Sequence, residues 1–179
     1  MTVTAPLPLP AAFTPPPALM ERITEILRGH RLMTVATLRA DGWPQATVVN
    51  YAADGLRLYF VVSTQSQKLA NLRRDPRASI AIGGLAGPPL GLSMAVRVRE
   101  VSEAPEIAAV GGKFWSESRG EGFTPHPATS GSVLLMAEPL IVSLVDYDGP
   151  DAWPRLFRVE PDWRLIPIQP DHAQKEAQP

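Results

Sequence analysis

Residues 56–82 have the sequence LRLYFVVSTQSQKLANLRRDPRASIAI, and this stretch decides the predicted fold. Apolar side chains alternate along Leu56–Ser63, which is the pattern of a β-strand with one buried face. Tyr59 belongs to the other, exposed face in this pattern. A short helix is predicted over Ser66–Arg74, and Ala78–Ile82 has the composition of a second strand. The stretch is therefore a strand–turn–helix–strand unit.

The start of the predicted helix carries polar residues that suggest a binding function. Thr64 and Gln67 have the spacing of a capping box, and Ser66 is an alternative N-cap. A helix start has free backbone N–H groups and the positive end of the helix dipole, so hydroxyls and Lys68 in the first turn suit a phosphate group. The alternative interpretation is a capped surface helix with a solvated lysine. Both interpretations place the Lys68 side chain outside the core.

Composition excludes several functional classes. The 179-residue chain has 17 basic and 18 acidic residues, and a net charge of −1 gives no electrostatic reason to expect binding to nucleic acid or to an anionic membrane. The chain contains no cysteine, which excludes disulfides, thiolate zinc sites and a cysteine nucleophile. No apolar run is long enough to span a membrane, and the N-terminus lacks the pattern of a secretion signal. We therefore expect a cytoplasmic protein.

The rest of the chain predicts one domain built mainly from short strands. Residues 1–16 are a proline-rich, flexible lead, residues 17–169 form the domain, and residues 170–179 are a polar tail. Asp41-Gly42 and Asp54-Gly55 are turn signals that join the first three strands into an antiparallel meander. Many short strands with few helices indicate a closed or nearly closed barrel. The predicted helices are Pro17–Arg28 and a weak one at Ala104–Trp115, interrupted by Gly111-Gly112, and the further strands are Leu32–Leu38, Gln45–Ala52, Leu92–Arg99, Val133–Met136 and Leu140–Val145 (or one long strand bent at Pro139), Arg155–Glu160 and Trp163–Ile168.

Four motifs follow one another in a fixed order along this pattern. They are Gly42-Trp43-Pro44 leading into Gln45–Asn50, then Leu58–Val61, then Ser66-Gln67-Lys68 with Asn71-Leu72, and then Asp75–Ile80. In this order and spacing the chain resembles the pyridoxamine 5′-phosphate oxidase-like, FMN-binding split-barrel superfamily, from about Ala18 to Ile168. The resemblance implies a mainly β protein, a split β-barrel with flanking helices.

The resemblance also implies a homodimer that holds FMN at the subunit interface. In such relatives the phosphate meets the turn that corresponds here to Ser66 and Lys68, with Gln67 where relatives often have a basic residue. The resemblance places the isoalloxazine ring against two strands, at Thr47, Val48, Val49 and Asn50 in one and Val61, Val62 and Ser63 in the other. A deazaflavin is the alternative cofactor. Heme is not expected, because His172, the histidine nearest the C-terminus, lies in the polar tail.

Two departures from the family pattern speak against true pyridoxamine 5′-phosphate oxidase activity. Thr47 stands where such oxidases have a basic residue, and Asp162–Pro167 lacks the histidine of their C-terminal signature. We therefore expect an FMN-dependent oxidoreductase that acts on another small molecule, with no catalytic residue assigned. The alternative is a non-catalytic protein that binds or carries a flavin or a deazaflavin.

Other conspicuous residues have simpler interpretations. His30, His126 and His172 are far apart and do not have metal-ligand spacing, so no metal site is predicted. Phe114-Trp115 is expected to anchor the core or a dimer interface, with contact to the flavin ring as the alternative. The cluster of Arg73, Arg74 and Arg77 either adds positive potential near the phosphate turn or forms a solvated face.

Overall fold

The computed structural model describes residues 17–84, 90–117, 131–146 and 155–168, with the backbone alone for residues 111–117. The predicted lead and tail and the segment 118–130 lie outside these ranges. Within them the chain forms three helices and nine strands. In chain order these are α1 (Pro17–Gly29), β1 (Leu32–Leu38), β2 (Pro44–Asn50), β3 (Ala52–Asp54), β4 (Arg57–Ser63), α2 (Gln67–Arg74), β5 (Arg77–Gly84), β6 (Leu90–Glu100), α3 (Ala104–Glu117), β7 (Ser132–Asp146), β8 (Arg155–Val159) and β9 (Leu165–Pro167).

The nine strands form one antiparallel sheet that curls into a split barrel. The hydrogen-bonded order is β2-β1-β5-β6-β7-β4-β3, and β8 and β9 extend the sheet from β7. β2 and β3 lie at opposite ends of this order, yet only Tyr51 separates them in sequence. The two ends of the sheet must therefore meet, and β2 contacts β4 although the two strands share no ladder. We call this boundary between β2 and β4 the seam.

The predicted meander is wrong in its pairing. The Asp41-Gly42 turn joins β1 and β2 as expected, and both Gly42 and Gly55 have the positive φ that their turns require. The predicted strand Gln45–Ala52, however, breaks at Tyr51. Only the short β3 pairs with one edge of β4, from Arg57 to Tyr59, whereas the other edge pairs with β7 from Leu58 to Ser63. Turn signals fix neighbours in sequence but not the distant strand that completes a barrel.

The core fills the barrel and extends to α1. Inward residues of the strands, such as Met33, Leu58, Phe60 and Ile80, are fully or almost fully buried. α1 packs against β5 and β6 and buries Leu19, Ile23, Ile26 and Leu27, each contributing about 1.5–3 kcal/mol when fully buried. Tyr59 is buried rather than exposed, because it joins a second cluster, with Val101, Val110 and Met136, on the other face of β4. The alternation along one strand does not reveal that a second cluster covers its other face.

Two irregular segments are more regular than the sequence suggests. β7 is one long strand, and it forms a bulge next to Pro139, where the register on β6 shifts between Ala95 and Val96. The bulge leaves Leu140 opposite no partner and 41% exposed. α3 continues through Gly111-Gly112, which corrects the predicted interruption.

Candidate functional site

α2 begins at the end of the seam, directly after β4. Ser66 is its N-cap, with extended backbone angles and a side-chain oxygen that accepts a hydrogen bond from the Leu69 N–H at 3.2 Å. The Thr64 hydroxyl instead donates to the Gly131 carbonyl at 3.1 Å, so the predicted Thr64–Gln67 capping box is wrong. Within the part of the chain that the structure describes, the backbone N–H groups of Gln67 and Lys68 have no acceptor. The helix start therefore offers two free donors.

Lys68 is buried, which contradicts the expectation of a surface lysine. Its side chain packs within the fold so that the residue is only 9% exposed. Burial lowers the pKa of its ammonium group, since the charged form loses hydration. Across the described ranges no carboxylate lies within ion-pair distance of Lys68. A partly desolvated ammonium without a counter-ion in these ranges is costly to maintain and is well suited to an anionic ligand.

The neighbouring arginines are already engaged by other groups. Arg73 binds Glu100 at 2.7 Å and Arg77 binds Asp75 at 2.6 Å, while Arg74 donates to the Leu38 carbonyl. The Arg77 guanidinium lowers the pKa of the Asp75 carboxyl to about 2. These contacts lock the segment after α2 in place and leave Lys68 as the cation at the helix start.

The predicted ring-contacting residues of β2 lie on two faces of the strand. Thr47 and Val49 are half-buried and point inward, whereas Val48, 63% exposed, and Asn50 point outward. The Thr47 Oγ1 atom is buried and has no hydrogen-bond partner among the residues that the structure describes. Orphaned polar atoms of this kind are uncommon in native proteins and call for an explanation such as a missing ligand.

β4 divides its predicted residues in the same way. Val61 and Ser63 are exposed, but Val62 is part of the core and can offer only its backbone to a ligand. β3 pairs with β4 only as far as Tyr59, and β2 pairs only with β1 among the described strands. β2 and the part of β4 beyond Tyr59 therefore present unpaired backbone N–H and C=O groups along the seam. Such groups suit the polar edge of a planar ligand.

Other residues singled out from the sequence lie away from the seam or outside the described residues. The side chains of Phe114 and Trp115, and all of His126 and His172, are outside the described residues. His30 is half-buried and lies against Gly84. In the described ranges no three histidine or acidic side chains group as metal ligands, and none of the helices there has both the length and the hydropathy of a membrane span.

The family model described as pyridoxamine 5′-phosphate oxidase matches residues 19–137, which is more than half of the chain. The chain belongs to the pyridoxamine 5′-phosphate oxidase-like superfamily. This result confirms the resemblance and the mainly β split-barrel fold predicted from the sequence.

Solved structures of this superfamily share the fold at low sequence identity. A pyridoxamine 5′-phosphate oxidase-related, FMN-binding protein from Nostoc punctiforme has a TM-score of 0.60 and 14% identity, over 89% of this chain and 99% of that one. A heme-binding protein from Mycobacterium smegmatis has a TM-score of 0.67 and 23% identity, over 80% of this chain and 59% of that one. An F420 reductase has a TM-score of 0.55 and 24% identity, over 66% of this chain and 94% of that one.

The C-terminal segment that departs from the oxidase signature has a structural role in this superfamily member. Trp163, in the turn between β8 and β9, lies over Arg57 with 4.5 Å between the guanidinium carbon and the ring centroid. Arg57 is the first residue of β4, whereas α2 follows the last one, so this contact lies at the opposite end of β4 from Lys68. Trp163 therefore lies away from the helix start that carries Lys68.

Proposed function

We propose that the protein binds FMN at the seam and acts as an FMN-dependent oxidoreductase on a small molecule. The observation that carries this proposal is Lys68, a residue only 9% exposed whose ammonium has no counter-ion among the described residues, at a helix start with two free backbone N–H groups. A phosphate dianion would accept hydrogen bonds from these N–H groups and from the Ser66 hydroxyl, and it would neutralise Lys68.

The residues along the seam fit the other half of the cofactor. The orphaned Thr47 hydroxyl and the free strand edges offer hydrogen bonds to the polar rim of a flavin ring, and Val48 and Val61 offer apolar contact to its faces. When bound, the flavin supplies the electron-transfer chemistry, and the protein supplies binding, orientation and protection from water.

We further propose a homodimer in which a second copy covers the cofactor. Val142 and Leu144 of β7 are apolar but lie in the chain's own core, so they offer no surface to a second copy. The support comes instead from the outward face of β1 and β2, where Leu32 is 54% and Val48 is 63% exposed. The outward side chains of these two strands carry no charge, as expected for a surface that meets another protein.

Two alternatives have specific support. The likeness to an F420 reductase supports a deazaflavin as the alternative cofactor, since the same phosphate-binding residues would serve either one. A non-catalytic flavin carrier would need the same seam and no substrate pocket. A cytoplasmic location stays a prediction, and true pyridoxamine 5′-phosphate oxidase activity is not expected.

The test is a titration of the purified apoprotein with FMN, followed by quenching of flavin fluorescence. Riboflavin, which shares the ring but lacks the phosphate, is the control ligand. Lys68→Met should weaken FMN binding by about 1.5–3 kcal/mol, or roughly tenfold to a hundredfold, because one charge-assisted hydrogen bond is lost. Riboflavin should bind both proteins alike. Equal affinity of the wild type for the two ligands would overturn the phosphate site.

Two further measurements separate the remaining alternatives. Oxidation of a reduced nicotinamide cofactor by the FMN-loaded protein would identify an enzyme rather than a carrier. Light scattering at micromolar concentration should give the mass of a dimer, and a monomer that retains FMN would contradict an interface site.

A further inference from the structure

A buried amide connects the two halves of the candidate site. Asn71 on α2 is completely buried, and its side-chain NH₂ donates to the Thr37 hydroxyl at 3.0 Å and to Gln45 Oε1 at 3.1 Å. Its Oδ1 accepts a hydrogen bond from Gln67 Nε2 at 2.9 Å. One side chain therefore makes three hydrogen bonds, of which the one to Thr37 is buried and those to Gln45 and the exposed Gln67 are part-buried.

The three partners belong to three different elements. Thr37 and Gln45 are directly opposite each other in the β1–β2 hairpin, and Gln45 is two residues before Thr47 on the same face of β2. Gln67 is the first residue of α2, between the N-cap Ser66 and Lys68. The network thus joins the helix start that carries the phosphate donors to the strand that carries the proposed ring contacts.

α2 does not depend on this network for its formation. Ser66 caps the helix, and Leu69 and Leu72 anchor it in the core. Apolar contacts alone tolerate small shifts of a helix along a strand, whereas a satisfied buried hydrogen-bond network permits one arrangement. The hydrogen bonds from Asn71 to Thr37 and Gln45 therefore set where α2 lies relative to β2, and its bond to Gln67 holds that side chain against the helix at its start.

We propose that Asn71 is a positioning residue that makes the phosphate turn and β2 act as one site. The inference rests on the proposed function. A ligand with both a ring and a phosphate gains from two half-sites only when their spacing matches the ligand. Asn71 contacts neither half of the ligand in this proposal and acts through Gln67 and Gln45.

The experiment compares three ligands on each variant, namely FMN, riboflavin and inorganic phosphate. Asn71→Leu removes the network with a side chain of similar size. Each half-site survives, so riboflavin and phosphate should bind as they do to the wild type. FMN affinity should fall on the order of tenfold, because the advantage of joining the two groups is lost. A loss of stability alone would not change the ratio of FMN to riboflavin affinity in folded protein.

Two further variants keep the test decisive if Asn71→Leu does not fold. Gln67→Met removes only the hydrogen bond to the helix start and leaves Asn71 bound to Thr37 and Gln45. It should lower the FMN-to-riboflavin ratio in the same direction. Arg73→Ala is the matched control, because it breaks the exposed ion pair of α2 with Glu100 without touching the network, and it should leave the ratio unchanged.

The outcomes distinguish this inference from the proposed function. If the wild type prefers FMN to riboflavin but both network variants keep the wild-type ratio, the positioning role is refuted and the phosphate site stands. If Gln67→Met also weakens inorganic phosphate, Gln67 is a direct ligand and the positioning argument fails. If the wild type shows no preference for FMN, the proposed phosphate site and the positioning role fall together.

Discussion

Tyr59 donates a hydrogen bond from its phenol group to Glu106 at 3.2 Å and so ties β4 to α3. Arg99 holds the same carboxylate at 2.8 Å, and burial of Tyr59, together with the charge of Glu106, raises the pKa of the phenol. The second core cluster surrounds this contact. Two polar links to one carboxylate therefore help to set how α3 sits on the outer face of the barrel.

Tyr59→Phe should loosen α3 without affecting cofactor affinity. The ring remains packed and Glu106 keeps Arg99, so the loss should be about 0.5–1.5 kcal/mol in the free energy of unfolding. Hydrogen exchange should rise in α3 and stay unchanged in α2. Increased exchange in α2, or weaker FMN binding, would show that α3 and the seam are coupled.

Lys68→Met should stabilise the apoprotein while it weakens FMN binding. The gain should be modest, about 0.5–1 kcal/mol at pH 7, because the variant removes a partly desolvated charge that solvent still screens. Burial lowers the pKa of Lys68, so the unfolded chain binds this proton more tightly than the folded chain does. Wild-type stability should then rise between that lowered pKa and the ordinary value of 10.5, and the advantage of the variant should shrink over the same range.

Urea unfolding at several pH values between 7 and 10.5 measures this effect. Arg28→Met on the exposed face of α1 is the control, since an arginine keeps its charge throughout. A Lys68→Met apoprotein that is less stable than the wild type at pH 7 would indicate that Lys68 has a partner. That result would contradict the proposed unpaired ammonium at the site.

Thr47→Val should also stabilise the apoprotein, by about 1 kcal/mol, because it replaces an unsatisfied buried hydroxyl with a methyl group. FMN and riboflavin should both bind several-fold more weakly, since they share the ring that the hydroxyl would meet. The control is Thr24→Val, which loses a hydroxyl that donates to the Met20 carbonyl at 2.7 Å and should not stabilise. Thermal unfolding and ligand titration together distinguish the two variants.

Trp163 should tolerate glycine better than alanine. Its φ of 68° lies in the left-handed region, where a side chain is strained, and its N–H donates to the Glu160 carbonyl at 2.9 Å. Both substitutions lose the contact with Arg57, but only glycine releases the strain. The free energy of unfolding of Trp163→Gly, measured in urea, should therefore be about 1 kcal/mol higher than that of Trp163→Ala. The reverse order would mean that the turn is not strained.

Local sequence patterns predicted the elements of this fold better than their partners. Alternation identified Leu58, Phe60 and Val62 as core residues, and the positions of α1 and α2 were close to those observed. The burial of Tyr59 was not predictable, because α3 covers the opposite face of the strand from a distance in sequence. Pairing of β4 with β7 is likewise a property of the closed barrel.

The candidate site was predictable in its location but not in its geometry. Spacing placed a helix start with Ser66 and Lys68 after β4, and the structure keeps them there. The burial of Lys68 depends on neighbours that spacing does not reveal. The contacts of Asn71 with Thr37 and Gln45 likewise join residues far apart in the chain, and only the folded arrangement brings them together.

The short link at Tyr51 has a consequence for the order in which the protein folds. The β1–β2, β5–β6 and β7–β8 pairs join neighbouring segments and can form early, whereas the β4–β7 ladder joins residues on either side of α2, β5, β6 and α3. Closing so large a loop is slow compared with forming a hairpin. Since Tyr51 is the only residue between β2 and β3, pairing of β4 with β7 also carries β2 towards β4, and we expect the seam to be assembled in that late step.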